Sequence, residues 1–341
     1  MKKIAIVVAL ISLCGYPAAS QAVPLTLRQT IPLPGVMGKF DHFAFDAAGG
    51  RLFAAATGSH SVEVIDLATG KVQQSIGGLG KPHGLVWIAS TKKLYIADGS
   101  QAALLVYHEA EDSHFKPAGK LGLSDDADDM VYNEANHLLF VGHGGSAASP
   151  ARIAVVDTAN FTLVNNLAVA THPEALEIDE RGQRIFANIA DSNEVAVMDG
   201  SGRAVAAKWK LERAADNVPL AYDEAHHSLY VACRNPASIV VLDAVSGKEM
   251  SSLPATGGAD DLFYDRALSR VYVIGGAGEV DAYQVKPDRS LEALGVLHTA
   301  IGAKTALFVP SQSSLYVGIP GADGHSAEIR VYATLAKRGA E

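Results

Sequence analysis

The 341-residue sequence predicts an all-β fold, a seven-bladed β-propeller with four strands per blade, on the basis of three observations. A triplet of an apolar, an aromatic and a small or β-branched residue recurs seven times, with the aromatic at positions 53, 95, 140, 186, 230, 272 and 316. The spacing of 42 to 46 residues between copies is typical of a blade of four short strands. Helical periodicity is absent after residue 22, which excludes an α-solenoid of similar period.

Each period contains four apolar runs separated by turn-forming residues, which we interpret as the four strands of one blade. The aromatic triplet is the second strand, and a run that ends in Asp or Tyr, such as residues 64–66 or 197–199, is the third. The seventh copy ends after Tyr332 without room for a fourth strand. We therefore expect residues 25–31 to supply that strand, so that the N-terminal strand closes the ring and pairs both terminal edges.

The first 22 residues have the pattern of a secretory signal peptide. Two lysines precede an apolar stretch over residues 4–13, and small residues follow up to Ala22. The apolar stretch is too short to span a bilayer, and no later segment is continuously apolar for about 20 residues, so no membrane anchor is expected. The sequence predicts cleavage after Ala22 and a periplasmic or secreted protein, with residues 23–341 forming a single propeller domain.

Two blade openings share a further motif. Residues 80–85 (GKPHGL) and 171–176 (THPEAL) are similar to the Pro-x-Gly opening of the YVTN-type, or YncE-like, seven-bladed propellers. Together with the repeat, they make residues 23–341 resemble this family of exported bacterial proteins along their whole length. The resemblance implies a fold rather than an activity, because members of the family have diverse roles.

Polar residues are concentrated where the blades should meet the central channel. In a propeller, the first strand of each blade begins and the second ends at the same mouth of that channel. Aligning the openings places the following residues at one equivalent position: Asp41, His83, Asp128, Glu174, Asp260 and, in the seventh blade, Thr305. The next residues, His42, Asp129 and Asp261, should face differently because strand residues alternate. His143 and Arg234 end second strands at this mouth, whereas His226 and His227 should lie on the opposite face.

This mixture of imidazole and carboxylate groups predicts a divalent metal site, with Zn²⁺, Mn²⁺, Cu²⁺ or Ca²⁺ as candidate ions. The candidate ligands are His42, His83, Asp41, Asp129, Glu174 and Asp261. A structural interpretation remains open, since an Asp at a strand opening commonly accepts hydrogen bonds from backbone N–H groups of the next blade. No His-x-His or His-Glu-x-x-His motif decides between the two.

Three classes of function remain open. The first is a binding or interaction protein, with or without a metal, whose mouth holds a small polar or anionic ligand or whose surface binds a protein partner. The second is a metal-assisted lyase or lactone hydrolase with His172, Arg234 and Lys304 as candidate catalytic residues. The third is a single-stranded nucleic-acid binder, for which only Trp209, between two lysines, fits. The net charge of −9 and the absence of a basic run disfavour nucleic acid.

Other catalytic signatures are missing. The sequence has no Gly-x-Ser-x-Gly elbow, and residues 275–278 (GGAG) belong to a hairpin turn and not to a dinucleotide site. Cys233 lies inside an apolar run and is expected to be a small core residue. Because Cys14 belongs to the signal peptide, no intramolecular disulfide is expected after cleavage. The sequence thus leaves open whether the protein is an enzyme.

Overall fold

The computed structural model describes residues 23–179, 181–322 and 324–335, so the predicted signal peptide lies outside the described residues. The described chain forms 28 strands arranged in seven four-stranded sheets. In chain order the strands are β1 (Leu25–Pro32), β2 (Phe43–Asp46), β3 (Arg51–Ala56), β4 (Ser61–Asp66), β5 (Lys71–Ile76), β6 (Pro82–Ile88), β7 (Lys93–Asp98), β8 (Ala103–Glu109), β9 (Phe115–Gly122), β10 (Met130–Asn133), β11 (Leu138–His143), β12 (Arg152–Asp157), β13 (Thr162–Ala168), β14 (Pro173–Ile178), β15 (Arg184–Ile189), β16 (Glu194–Asp199), β17 (Val205–Lys210), β18 (Ala215–Asp223), β19 (Ser228–Asn235), β20 (Ala237–Asp243), β21 (Glu249–Pro254), β22 (Ala259–Asp265), β23 (Arg270–Gly275), β24 (Glu279–Val285), β25 (Leu291–His298), β26 (Ala306–Val309), β27 (Ser314–Ile319) and β28 (Glu328–Thr334).

The sheets confirm the predicted seven-bladed β-propeller and its closure. Blades 1 to 6 each contain four consecutive strands, beginning with β2–β5 and ending with β22–β25. Blade 7 has the order β26-β27-β28-β1, so the N-terminal strand is its outermost strand. Strand β1 pairs antiparallel with β28 from Leu25 opposite Thr334 to Pro32 opposite Glu328. Both terminal edges are thereby paired within one blade, as the sequence predicted.

The core lies between adjacent blades. The second strand of each blade is covered on both faces, which explains why the aromatic triplets are continuous apolar runs; strand β3 is buried at every residue. Outer strands such as β5 alternate between exposed and partly buried residues. Where blades 7 and 1 meet, Ile31 packs in one cluster with Leu52, Ile65, Ile329 and Val331, which we call the seam cluster. The closing strand therefore contributes side chains to the core.

The segments between strands are short. Four single-turn 3₁₀ helices occur in the described chain, at Thr57–Ser59, Ala89–Thr91, Ala190–Ser192 and Pro310–Gln312. Within residues 23–179, 181–322 and 324–335, no helix is long and apolar enough to cross a membrane.

Arginines at the start of second strands connect blades on the face opposite the mouth. In blade 1, Arg51 donates to Asp46 Oδ2 through Nη2 at 2.6 Å and to Glu109 Oε1 of blade 2 through Nη1 at 2.7 Å. Its guanidinium also lies over Trp87 and Phe115, 5.6 and 5.2 Å from the ring centroids. Because all these groups are buried or half-buried, the arginine joins the two blades through charge and packing together.

Candidate functional site

The register of the inner strands places one residue of each blade at the channel mouth. In every blade, the residue after the aromatic of the triplet pairs with an inner-strand residue, as Ala54 pairs with Phe43 and Val317 with Ala306. Two positions before that inner-strand residue stand Asp41, His83, Asp128, Glu174, Val218, Asp260 and Lys304. We call these seven residues the mouth ring. All seven line one cavity of about 170 Å³, together with His42, Arg234 and two further lysines.

Blade 7 differs from the sequence-based alignment, and blade 5, for which the alignment gave no residue, has no charge at this position. In blade 7, the predicted residue Thr305 is equivalent to the residue that follows the mouth-ring position. Its carbonyl accepts from Gly318 N at 2.9 Å, just as the carbonyl of His42, which follows Asp41 in blade 1, accepts from Ala55 N at 3.1 Å. Lys304 therefore takes the mouth-ring position. In blade 5 that position is the uncharged Val218. Alignment by residue type led to this error, because a lysine broke the pattern of acidic and imidazole groups.

The residues that follow the mouth ring form a second layer, in which carboxylates connect neighbouring blades. Asp129 Oδ2 accepts from the backbone N–H of Leu176 at 2.7 Å, and Asp261 Oδ2 accepts from Ala306 N at 2.6 Å. In both pairs the donor belongs to the first strand of the next blade. These contacts are the structural role that the sequence left open for Asp129 and Asp261.

His42 lies between these two carboxylates. Its Nε2 is 3.8 Å from Asp129 Oδ1 of blade 3, and its Nδ1 is 3.9 Å from Asp261 Oδ1 of blade 6. Asp41 Oδ1 is 3.5 Å from the same Nε2. Burial opposes the charged imidazole, but Asp129, Asp41 and Asp261 outweigh it and raise the pKa of His42 to about 10. Burial raises the pKa of Asp261 to about 7, against the opposing charge of His42.

Asp128 links two histidines of the mouth. His83 Nδ1 donates to Asp128 Oδ1 at 2.7 Å, and His172 Nε2 is 3.3 Å from Asp128 Oδ2. The other ring nitrogen of His172 contacts the Gly144 carbonyl at 2.5 Å, so both partners of His172 are acceptors and both of its nitrogens must carry protons. Burial disfavours this charged form, but the hydrogen bonds to Asp128 and Gly144 raise the pKa of His172 to about 9. His172 is therefore not set up as a general base.

His83 has a different arrangement. Its Nδ1 donates to Asp128, and its buried Nε2 has no hydrogen-bond partner among the described residues; in the neutral imidazole this Nε2 carries a lone pair. Burial would raise the pKa of Asp128, but the hydrogen bonds from His172 and His83 lower it well below its ordinary value. Asp128 is thus an ionised carboxylate, and its negative charge lies next to both imidazole rings.

Two basic residues of the mouth, Arg234 and Lys304, meet at Asp260. Arg234 donates to Ala259 O at 2.9 Å through Nε and to Asp260 Oδ1 through Nη2, and Lys304 Nζ lies 2.6 Å from Asp260 Oδ2. Two of the three candidate catalytic residues therefore converge on one carboxylate. Across the cavity, burial and the charge of Asp128 raise the pKa of Glu174 to about 7.

The remaining histidines are not part of the cavity. The buried His143 uses both ring nitrogens, Nδ1 with Ser124 N at 3.1 Å and Nε2 with Asn166 Oδ1 at 3.0 Å. His226 and His227 lie in the turn between β18 and β19, at the opposite ends of these strands from Arg234, as expected. The structure thus brings together all the predicted ligands and catalytic candidates at one mouth and adds Asp128 and Asp260, which the predicted ligand set omitted.

Other candidate features have structural explanations. Cys233 is buried, and burial raises the pKa of its thiol to about 12, which disfavours a nucleophilic role. Trp209 is partly buried against Phe186, with ring centroids 5.9 Å apart, while Lys208 and Lys210 point to the exposed side of β17. The indole is therefore not an open stacking surface for bases.

A larger cavity, about 840 Å³, lies at the outer boundary of blades 7 and 1. Its lining contains only His60, Glu63 and Lys71 as ionisable residues, and Glu63 is hydrogen-bonded to Ser61 and Ser75. Chemically reactive groups converge at the channel mouth and not in this groove. The mouth is therefore the candidate functional site despite its smaller volume.

Comparison with known proteins identifies the fold. No model of a known protein family matches the sequence, and no similar protein is found among curated proteins. Among solved structures, one chain of the mitotic checkpoint complex superposes with a TM-score of 0.75 at 12% identity, over 98% of this chain and 100% of that chain. A chain of Kuenenia stuttgartiensis hydrazine synthase superposes with a TM-score of 0.73 at 14% identity, over 89% and 96%.

At these identities the likeness shows the fold alone. The protein is a seven-bladed β-propeller, a fold consistent with a binding or interaction protein. Membership of the YVTN-type family stays a prediction.

Proposed function

We propose that this propeller is a binding protein that holds a small anionic ligand, such as a carboxylate-bearing molecule, in the cavity at the channel mouth. The supporting observation is that Arg234 and Lys304 both contact Asp260 at the cavity wall, so two positive charges face one negative charge. The cavity of about 170 Å³ is smaller than pockets for drug-sized molecules, which are roughly 300–1,000 Å³.

Asp260 holds both cations at the position where an anion would bind. Nε and one Nη2 hydrogen of Arg234 are used, and the remaining guanidinium N–H groups are donors of the geometry that carboxylates accept in pairs. The Lys304 ammonium has three donors, of which Asp260 accepts one. A ligand carboxylate would therefore meet donors that need little rearrangement, which favours affinity.

The enzyme alternative receives less support. A lyase or lactone hydrolase needs a base, and His172 faces acceptors through both ring nitrogens. Arg234 and Lys304 are better placed to bind an anion than to transfer protons.

The anion proposal is tested by calorimetric titration with acetate, succinate and phosphate. Arg234→Gln should weaken carboxylate binding about tenfold or more, the effect of losing a charge-assisted hydrogen bond. Asp260→Asn should instead strengthen binding, because it removes the competing negative charge while the asparagine oxygen can still accept a hydrogen bond from Arg234 or Lys304. Arg213→Gln is the matched control, since this exposed arginine pairs with Glu249 and does not line the cavity.

Two results would contradict the proposal. The first is the absence of binding to any of the three anions by the wild-type protein. The second is an equal effect of Arg234→Gln and Arg213→Gln.

Export is a separate part of the proposal and depends on residues 1–22 alone. If these residues are a signal peptide, the protein recovered from the periplasm or medium of a bacterial host should begin at Val23. N-terminal sequencing of that fraction tests this, and an intact Met1 would contradict it.

A further inference from the structure

We infer that the channel mouth binds one divalent transition-metal ion through Asp41, His42 and Asp128. These residues belong to blades 1 and 3, whereas the proposed anion contacts belong to blades 5 to 7. The metal site therefore goes beyond the anion proposal and does not depend on it.

The three side chains lie close enough to share one ion, and His42 and Asp41 are spaced as two ligands rather than as hydrogen-bond partners. One ligand atom from each lies within 4.8 Å of the other two. His42 Nε2 and Asp41 Oδ1 are 3.5 Å apart, longer than the usual N–H···O distance of about 2.9–3.0 Å. Two ligands bonded at about 2.0–2.1 Å to a tetrahedral ion are roughly 3.4 Å apart. The observed separation thus suits two atoms that share an ion.

The charges around Asp41 also favour a cation. Its carboxylate is largely buried and accepts no hydrogen bond from any described residue; His42 at 3.5 Å and His83 at 3.8 Å are its ion-pair contacts. The permanent cations that line the same cavity and form ion pairs contact other acids, Lys81 with Asp126, and Arg234 and Lys304 with Asp260. Burial of the Asp41 carboxylate is costly, and a bound metal ion that replaces the proton on His42 would offset that cost with a higher positive charge.

His83 supplies an independent observation. This residue is only 4% exposed and lines the same cavity, and its Nε2 is buried without a hydrogen-bond partner in the described chain. Its Nδ1 meanwhile donates to Asp128 at 2.7 Å. An imidazole that donates through one nitrogen to a carboxylate and offers a lone pair on the other is the form that histidine takes beside metal ions. His83 therefore orients Asp128, one of the three ligands, and keeps its second nitrogen without a partner in the described chain.

The ligand set also indicates the kind of ion. One imidazole and two carboxylates suit Zn²⁺ or Mn²⁺, whereas Ca²⁺ takes six to eight oxygen ligands. Asp129 and Asp261, which the sequence predicted as metal ligands, each use one oxygen to accept a hydrogen bond from a backbone amide of the next blade. Asp128 takes their place in the inferred set.

The test measures metal binding to the EDTA-treated, full-length mature protein without any organic ligand. Calorimetry with Zn²⁺ and electron paramagnetic resonance with Mn²⁺ should show one ion per chain. Asp41→Asn, His42→Gln and Asp128→Asn should each weaken binding by about tenfold or more. His227→Asn is the matched control, because this exposed histidine lies in a turn on the opposite face. Circular dichroism in EDTA confirms that each variant is folded.

The experiments distinguish failure of the inferred metal site from failure of the proposed anion site. The inference is overturned if the wild type binds neither ion, or if the three ligand variants bind as His227→Asn does. Arg234→Gln should bind the metal normally, because it leaves all three ligands in place. A protein that binds metal but no carboxylate would refute the proposed function alone.

Discussion

Closure of the ring should depend on Ile31, and Ile31→Ala measures that dependence. This side chain is 1% exposed and belongs to the seam cluster between blades 7 and 1. Truncating a fully buried isoleucine to alanine costs about 2–5 kcal/mol, because strand packing on both sides limits collapse of the cavity. Equilibrium denaturation should show this loss, and the melting midpoint should fall by about 4–10 °C.

Two control variants make the result interpretable. Leu27→Ala changes the same strand at a half-exposed position and should alter stability by no more than about 0.5 kcal/mol. Ile153→Ala removes an equally buried isoleucine from the core near blade 3. If β1 folds together with the rest of the ring, Ile31→Ala and Ile153→Ala should cost similar amounts. A cost for Ile31→Ala as small as that for Leu27→Ala would show that β1 opens locally and would refute the reasoning.

Three further predictions concern the rest of the molecule. Arg51→Met should destabilise the protein by about 3–5 kcal/mol at neutral pH, because Asp46 and Glu109 lose a buried cation. Burial opposes ionisation of Asp46, but hydrogen bonds from the Gly49 amide and Arg51 lower its pKa below the ordinary 3.8. The stability that the Arg51–Asp46 pair contributes is therefore present above pH 3.8 and is lost as the pH falls through the lowered pKa of Asp46. Denaturation at pH 7 and pH 3 should show that the wild type loses its stability advantage over Arg51→Met at the lower pH, and an advantage that is the same at both would contradict this. The Cys233 thiol should resist a disulfide-exchange reagent in the native protein and react after denaturation, and rapid native labelling would contradict its burial. Single-stranded DNA should not bind at physiological salt in a filter or anisotropy assay, given the net charge of −9, and salt-sensitive binding would contradict this.

The fold was predictable because each blade repeats one physical requirement. The aromatic of every triplet enters the space between two blades, as the fully buried Phe53, Tyr95 and Tyr230 show, so the pattern must recur at the blade period. The closing strand followed from the same logic, since an unpaired edge in blade 7 would be exposed. Periodicity carries this information without any knowledge of side-chain contacts.

The contacts within the mouth could not be predicted in the same way. Spacing indicated that acids and histidines meet at one face, but it could not show which carboxylate oxygen reaches which partner. Asp128 and Asp129 are neighbours in sequence, yet one faces two imidazoles and the other binds the Leu176 amide. That difference arises from strand alternation and from the position of the next blade around the ring. Both depend on register, which residue type alone does not reveal.

The two layers of the mouth divide structural and chemical roles. In the deeper layer, Asp129 and Asp261 bind backbone amides of the next blade, so their side chains contribute to the alignment of the blades. The mouth ring accommodates aspartate, histidine, glutamate, valine and lysine at one geometric position without a change in the strand order of the blades. Val218 leaves blade 5 without a charge there, but Arg234 at the end of the second strand of that blade brings a guanidinium to the same cavity. A propeller can therefore change what its mouth binds through these positions while its core and ring closure stay the same.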